Sequence, residues 1–286
     1  MPTVKYTDVD LANLTFTTPE ENKMIPNMTK NQLLSIPGLA VNGKSEMPTI
    51  QGPWMTLDNY GITSKLDKMG KPRMNQAGVP LSDRERGKLK IPLAEDSFRD
   101  LLLEIDTKCE AEREQIFGDK KKAGVYKYQP IVRQAAENPD APEDAPERPD
   151  YCVVKLDFDY KTGALKTGLY VNDGGKRTEV EALTLDDFQK HVRYMCEFRP
   201  VFKICKLFAA RSANQDGKRS YGLGLKLSLI EVKPMKSTSN ESETFFVDTD
   251  DEGEEKEMKD LVAQTSKTTV QETTTKTTKG KAAGSR

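Results

Sequence analysis

The 286-residue sequence predicts a β-rich fold, mainly strand with two helices. Three observations lead there. Tyr221, Leu223, Leu225, Leu227 and Leu229 alternate strictly with Gly222, Gly224, Lys226 and Ser228, the period of a strand with one buried face. Residues 201–210 are apolar almost throughout, as in a central strand buried on both sides. Only two stretches, one after Asp96 and one after Thr184, carry the spacing of an amphipathic helix.

Taken in order, residues 1–50 hold prolines at 2, 19, 26, 37 and 48, which rules out long regular elements and predicts a Pro-rich arm packing in short pieces. Residues 51–236 form the expected core. Within it, 54–66 suit one or two strands, and 68–80 read as a long Gly/Pro-rich basic loop carrying Lys68, Lys71 and Arg73. Residues 88–93 alternate as a short strand. Asp96 or Ser97 then caps a helix with Phe98, Leu101, Leu102, Ile105 and Cys109 on one stripe, running out near Phe117-Gly118. Residues 137–150, with four prolines among acids, are an exposed acidic loop.

Residues 152–158 and 165–171 alternate on either side of Lys161-Thr162-Gly163 and predict a hairpin; Asn172-Asp173-Gly174-Gly175 predicts a second tight turn. Thr184 caps the second helix, where Phe188, Val192 and Met195 mark the buried stripe. A small barrel with an inserted helix accommodates this order, and so does an α+β sandwich. Beyond Pro234 order is expected to end. Residues 241–260 hold ten acids against Lys256 and Lys259, and residues 265–286 are rich in Thr and Lys, so 237–286 reads as a disordered acidic, then Thr/Lys-rich tail.

Composition narrows the chemistry. No stretch approaches the ~20 apolar residues that span a bilayer, and the N-terminus lacks a signal-peptide core, so neither membrane insertion nor secretion by the usual route is expected. Cys109, Cys152, Cys196 and Cys205 form no CxxC pair, and His191 is the single histidine, which leaves no zinc motif and no second partner for His-based catalysis. P-loop, GxGxxG and HExxH motifs are absent. No enzyme activity, cofactor or metal is therefore expected.

Charge points elsewhere. Residues 241–286 hold eleven acids and seven bases, so the formal charge of −1 for the chain becomes about +3 for residues 1–240. In the 151–171 hairpin, alternation leaves Tyr151, Lys155, Lys166 and Tyr170 outward; the last strand leaves Lys226 outward, and the loop before it supplies Arg211, Lys218 and Arg219. Cations interleaved with exposed rings suit single-stranded nucleic acid, where cations track phosphates and rings stack on bases.

Trp54 with Tyr60-Gly61-Ile62, the helix after Leu93, and Phe198-Arg199-Pro200-Val201-Phe202-Lys203-Ile204-Cys205-Lys206-Leu207-Phe208 leading to Tyr221-Gly222-Leu223-Gly224-Leu225-Lys226 together resemble the OB-fold single-stranded-DNA-binding proteins of large nucleocytoplasmic DNA viruses. Those are in turn similar to the replication single-strand-binding proteins of short-tailed phages. The resemblance implies an OB-fold-like small barrel that coats exposed strands in viral DNA replication, repair or recombination, inside the host cell at sites of replication. It implies a nucleic-acid surface drawn from Trp54, Tyr60, Lys71, Arg73, Tyr151, Lys155, Lys166, Tyr170, Arg211, Lys218, Arg219, Tyr221 and Lys226. Its acidic tail would dock viral replication proteins, and a homodimer stays open. One departure is that Phe245-Phe246 precede the acids here and a Thr/Lys stretch follows them. Two rival readings are a virion structural or minor capsid protein, also His-poor and Pro-rich, and a metal-dependent nuclease built on Asp157 and Asp159.

Overall fold

The structure is a computed structural model of the chain, in which residues 3–21, 32–41, 43–67, 69–135 and 147–234 are described. Most of the acidic loop 137–150 and the whole tail 237–286 lie outside the described residues.

The proline spacing of the first fifty residues has the expected consequence. Among its described residues the strands are β1 (Val4–Lys5), β2 (Leu14–Thr15), β3 (Glu20–Glu21), β4 (Gln32–Ser35), β5 (Gly38–Val41), β6 (Lys44–Glu46) and β7 (Thr49–Gln51), none longer than four residues. Short strands suffice because they borrow the sheet of the core: β1 pairs with β7, and β3 with β4, while β2, β5 and β6 form a small sheet of their own.

The core continues with β8 (Met55–Thr56), β9 (Gly61–Ile62), α1 (Asp83–Arg86), β10 (Lys88–Pro92), α2 (Asp96–Ala111), α3 (Arg113–Phe117), α4 (Lys120–Gly124), β11 (Tyr126–Gln129) and β12 (Tyr151–Leu156). It closes with β13 (Gly168–Asp173), β14 (Lys176–Val180), α5 (Leu185–His191), β15 (Glu197–Ala210) and β16 (Arg219–Val232). The chain is β-rich as expected, with three short helices, α1, α3 and α4, beyond the two that periodicity predicts. Such short turns of helix are too brief to show an apolar stripe.

Two strands of 14 residues, β15 and β16, pair antiparallel and organise the sheet. The outer edge of β15 takes β8, β7 and β4 in succession, at Glu197, Val201 and Leu207. The outer edge of β16 takes β11, β12 and β13 in succession, all parallel to it. Beyond β12 lie β10 and then β9. Among the described residues no ladder joins β1 to β9.

One face of this sheet meets α2. Phe98, Leu102, Ile105 and Cys109 of α2 are fully buried, and Phe98 packs edge-on against Phe202 of β15 with ring centroids 6.1 Å apart. Glu95, rather than Asp96 or Ser97, caps α2 by accepting from the Phe98 amide at 2.6 Å. The helix breaks at Glu112, α3 continues it to Phe117, and Gly118 ends it in the left-handed region at φ 82°. Asp106 is buried on α2 and accepts from the Tyr128 hydroxyl and the amides of Ile131 and Val132 at 2.7–3.0 Å, fixing the chain after β11. Burial pushes this carboxyl up, against those three bonds. Thr184 caps α5 by accepting from the Asp187 amide.

Three expectations are corrected. The 151–171 hairpin is absent as a ladder: a turn at Asp159 and Gly163 exists, but only the isolated bridge Phe158–Leu165 joins its arms, and β12 and β13 each pair with β16 instead. Alternation reports which face is buried, not which neighbour is chosen. Nor are residues 201–210 buried on both sides: Lys203, Cys205, Lys206 and Phe208 are only half-buried. The long loop at 68–80, whose Lys68 lies outside the described residues, carries two tight turns, bridged at Leu66–Pro72 and Met74–Pro80. By contrast, the predicted turn at Asn172 joins β13 to β14 as read. The four cysteines are free thiols, three of them buried. Among the described residues no helix is long and apolar enough to cross a membrane.

Candidate nucleic-acid interface

The face of the sheet away from α2 carries a row of lysines. Lys88 of β10 stands opposite Lys155 of β12, Lys155 opposite Lys226 of β16, and Lys226 opposite Lys203 of β15. Cross-strand partners point to the same side, and neighbouring strands lie ~4.8 Å apart, so four ammonium groups are ranged across about 14 Å.

The first three of these lysines line a cleft of about 680 Å³, together with Lys206, Arg84 and Arg133. Asp157 is the carboxylate in its lining, and it pairs with Lys226 at 2.7 Å. No carboxylate among the described residues forms an ion pair with Lys88, Lys155, Lys206, Arg84 or Arg133. Partial burial, and then the charges of Lys206 and Lys88, hold the Lys155 ammonium below the usual lysine range. Cys205 lies half-buried in the same lining, its thiol against the Gly224 carbonyl at 3.2 Å. Desolvation pushes that thiol up despite the nearby cations Lys206, Lys226 and Lys155.

Glycines form the floor. A Cβ at Gly224 would stand 2.8 Å from Cγ of Lys206, one at Gly222 would stand 3.3 Å from the Phe208 ring, and one at Gly87 would collide with the Phe158 ring. Lys206, Phe208 and Phe158 therefore lie flat across positions where side chains are missing. The Gly222 and Gly224 alternation, legible in the sequence as a strand, also marks the sunken face of that strand.

Along β12 the cleft runs on to an aromatic pair. Tyr151, Val153 and Lys155 share the exposed face, and Arg133 pairs through its backbone with Tyr151. The Tyr60 and Tyr151 rings are 4.6 Å apart, and Lys90 of β10 sits 5.2 Å from the Tyr151 ring. Tyr60 adopts a left-handed backbone at φ 65°, an uncommon state for a non-glycine residue. Its hydroxyl donates to the Pro149 carbonyl at 2.7 Å, which holds the ring in place.

Of the residues predicted for the site, the structure therefore brings Lys155 and Lys226 into the cleft and Tyr60 and Tyr151 to its end. Lys71 and Arg73 stand on the paired turns between β9 and α1. The others lie elsewhere. Trp54 is covered by Arg199 and Lys233, at 4.8 and 5.2 Å from its ring. Lys166 pairs with Asp159, Arg211 with Glu21, and Lys218 donates to the Gly124 carbonyl. Arg219 stands opposite Tyr126 of β11. Tyr170 is flanked by Glu179 and Glu231.

Tyr221 is a correction: it is fully buried, packed among Phe117, Tyr126 and Tyr128, because it shares the leucine face of β16. Sequence reasoning missed Arg84, Lys88, Arg133, Lys203 and Lys206 as site residues. Lys88 was readable as the polar phase of its strand. Lys206 was hidden by the register shift at Ile204/Lys206, which moves it out of phase.

Among the described residues no group of three or more His, Cys, Asp or Glu side chains is placed to hold a metal ion. No protein-family profile matches the chain. A stretch of 95 residues is 33% identical to a protein of Acanthamoeba polyphaga mimivirus described as uncharacterized protein R505. That stretch covers 33% of this chain and 24% of the mimivirus protein.

Proposed function

We propose that the protein binds single-stranded DNA in the cleft over β10, β12, β16 and β15, coating exposed strands during viral replication, repair or recombination. The observation that carries this reading is the lysine row Lys88–Lys155–Lys226–Lys203. Like charges directly opposite on neighbouring strands destabilise a sheet. Four in line, most of them without a carboxylate partner, oppose the fold unless a polyanion lies across them. Phosphates supply that polyanion, and Tyr60, Tyr151, Phe158 and Phe208 supply ring surface for unpaired bases. The local likeness to a mimivirus protein supports a viral setting. An OB-type barrel and docking of replication proteins by the acidic tail belong to the same proposal.

The test is a salt titration of binding to a labelled single strand of ~30 nucleotides and to its duplex, since electrostatic binding is strongest at low salt. Tighter binding to the single strand is expected, because stacking needs unpaired bases. No binding to either at low salt would end this reading and bring the virion-protein reading forward.

A further inference from the structure

The segment between β9 and α1 is a tandem repeat of eight residues. Leu66-Asp67-Lys68-Met69-Gly70-Lys71-Pro72-Arg73 is followed by Met74-Asn75-Gln76-Ala77-Gly78-Val79-Pro80-Leu81, and the two turns are bonded alike. The Asp67 amide donates to the Lys71 carbonyl at 2.8 Å, and the Asn75 amide to the Val79 carbonyl at 2.8 Å. Asp67 Oδ1 accepts from Met69 and Lys71 as Asn75 Oδ1 accepts from Ala77 and Val79. Gly70 and Gly78 close them at φ 76° and 73°, the left-handed position that follows a type I turn.

These turns hold apolar side chains out into solvent. Met69 is 78% exposed, and Met74 and Val79 are each 54% exposed, although most large apolar side chains among the described residues are buried. Lys71 and Arg73 stand between them. The base of the tongue rests on α1: the Asn75 amide donates to Glu85 at 3.2 Å, and Arg84 of the same helix lines the cleft.

We infer that this tongue is a second contact for the strand held in the cleft, its methionines and Val79 pressing on bases while Lys71 and Arg73 meet phosphates. The inference rests on the cleft reading. Three features favour it over docking of another protein. The turns are pre-ordered by their own hydrogen bonds, so little entropy is lost on contact. Apolar groups interleaved with cations match bases interleaved with phosphates, and unbranched apolar side chains are suited to wedging against base steps. The surface is continuous with the cleft through α1.

Methionine oxidation reads the contact directly, because exposed thioethers convert to sulfoxide. The full-length protein, with and without a thymidine oligonucleotide of ~30 residues at the low salt that favours binding, would receive a brief pulse of dilute peroxide. A parallel sample would receive a lysine acylating reagent, and both would be read by peptide mass spectrometry. The oligonucleotide is expected to slow oxidation of Met69 and Met74 several-fold and to leave Met195, 51% exposed, unchanged. Acylation of Lys155 and Lys206 should slow as well. The Met69→Ser/Met74→Ser variant should bind about tenfold more weakly with an unchanged salt slope, since it removes no charge.

Protected lysines with methionines oxidising at the free rate would overturn the tongue and leave the cleft standing. Lysines and methionines both at the free rate would sink the cleft reading and the tongue with it. Protected methionines with unprotected lysines would refute a shared strand.

Discussion

The cleft reading is sharpest in the double substitution Lys155→Gln/Lys206→Gln. Five cations line the cleft without a carboxylate partner among the described residues: Arg84, Lys88, Arg133, Lys155 and Lys206. If each displaces one counterion from a single strand, log affinity should fall with log salt at a slope of about −3.5, so that raising salt from ~50 to ~200 mM weakens binding about a hundredfold. Removing two cations should flatten the slope to about −2.1 and reduce that loss to about twentyfold.

The fold should survive. Lys155 is a lysine whose ammonium is disfavoured by burial and by its cationic neighbours Lys206 and Lys88, so glutamine at 155 and 206 relieves repulsion, and the melting temperature should hold or rise. Fluorescence anisotropy with a labelled thymidine oligonucleotide across that salt range measures the slope. Lys108→Gln is the control, because its ammonium pairs with Glu112 at 2.6 Å on α2, outside the cleft lining. Equal slopes for the double variant and the native protein would refute the reasoning.

Other expectations follow from the same geometry. Tyr221→Ala should cost about 3–5 kcal/mol of stability in chemical denaturation by emptying the aromatic cluster around Phe117 and Tyr128; Tyr221→Phe should cost little, since the hydroxyl reaches the Cys109 carbonyl only at 3.4 Å. Gly224→Ala should leave stability nearly intact because the flexible Lys206 stem can move aside, whereas Gly222→Ala meets the Gln129 carbonyl at 2.7 Å and should lower it. Glu231 is buried, which raises its pKa, but bonds from Arg199, Asn172 and Arg177 outweigh burial and hold it below the ordinary carboxylate range. Its stabilisation is thus complete above the unfolded value near ~4.3 and is lost as pH falls through the lower folded value. Glu231→Gln should flatten the acid limb of the stability curve measured by denaturant titration at stepped pH.

How far the sequence could be read is set by what alternation encodes. It identified β16 and placed Lys155 and Lys226 on the solvent side, because a period of two records burial directly, whereas the apolar run at 201–210 hid the half-buried face of β15 that carries Lys203 and Lys206. Pairing is a different quantity. The arms of 151–171 read as a hairpin because they flank a genuine turn at Asp159–Gly163, yet β16 is long enough to offer both of them a better edge. Tyr221 was misplaced by residue type: its position in the leucine phase outweighed its aromatic ring. The eight-residue repeat at 66–81 escaped notice because Asp67 and Asn75, Lys71 and Val79, differ in identity while making the same backbone bonds. Such turns depend on an acceptor at the first position and glycine at the fourth, not on the residues between.

The geometry of β15 and β16 links these results. Each runs 14 residues, and the buried phase of each switches once, between Ile204 and Leu207 in β15 and between Leu227 and Ile230 in β16. A strand of that length with a perfect alternation would carry its twist and its two phases unchanged from end to end. The register shifts at Val201/Phe202 and Ile204/Lys206 prevent this. The second of them turns Lys206 onto the face of Lys226, where Gly224 leaves it room to lie flat. A bulge therefore does for the cleft what a substitution could not: it adds a cation to the exposed face without removing a core residue from the buried one. Deleting Cys205, the residue left unpaired by that shift, should close the ladder into regular alternation and leave Lys206 opposite Gly224 on the exposed face. The deletion variant should then unfold at about the native denaturant concentration, since Leu207 and Ala209 keep the buried side, and a variant that unfolded at much lower denaturant would show that Cys205 is needed to hold the phase.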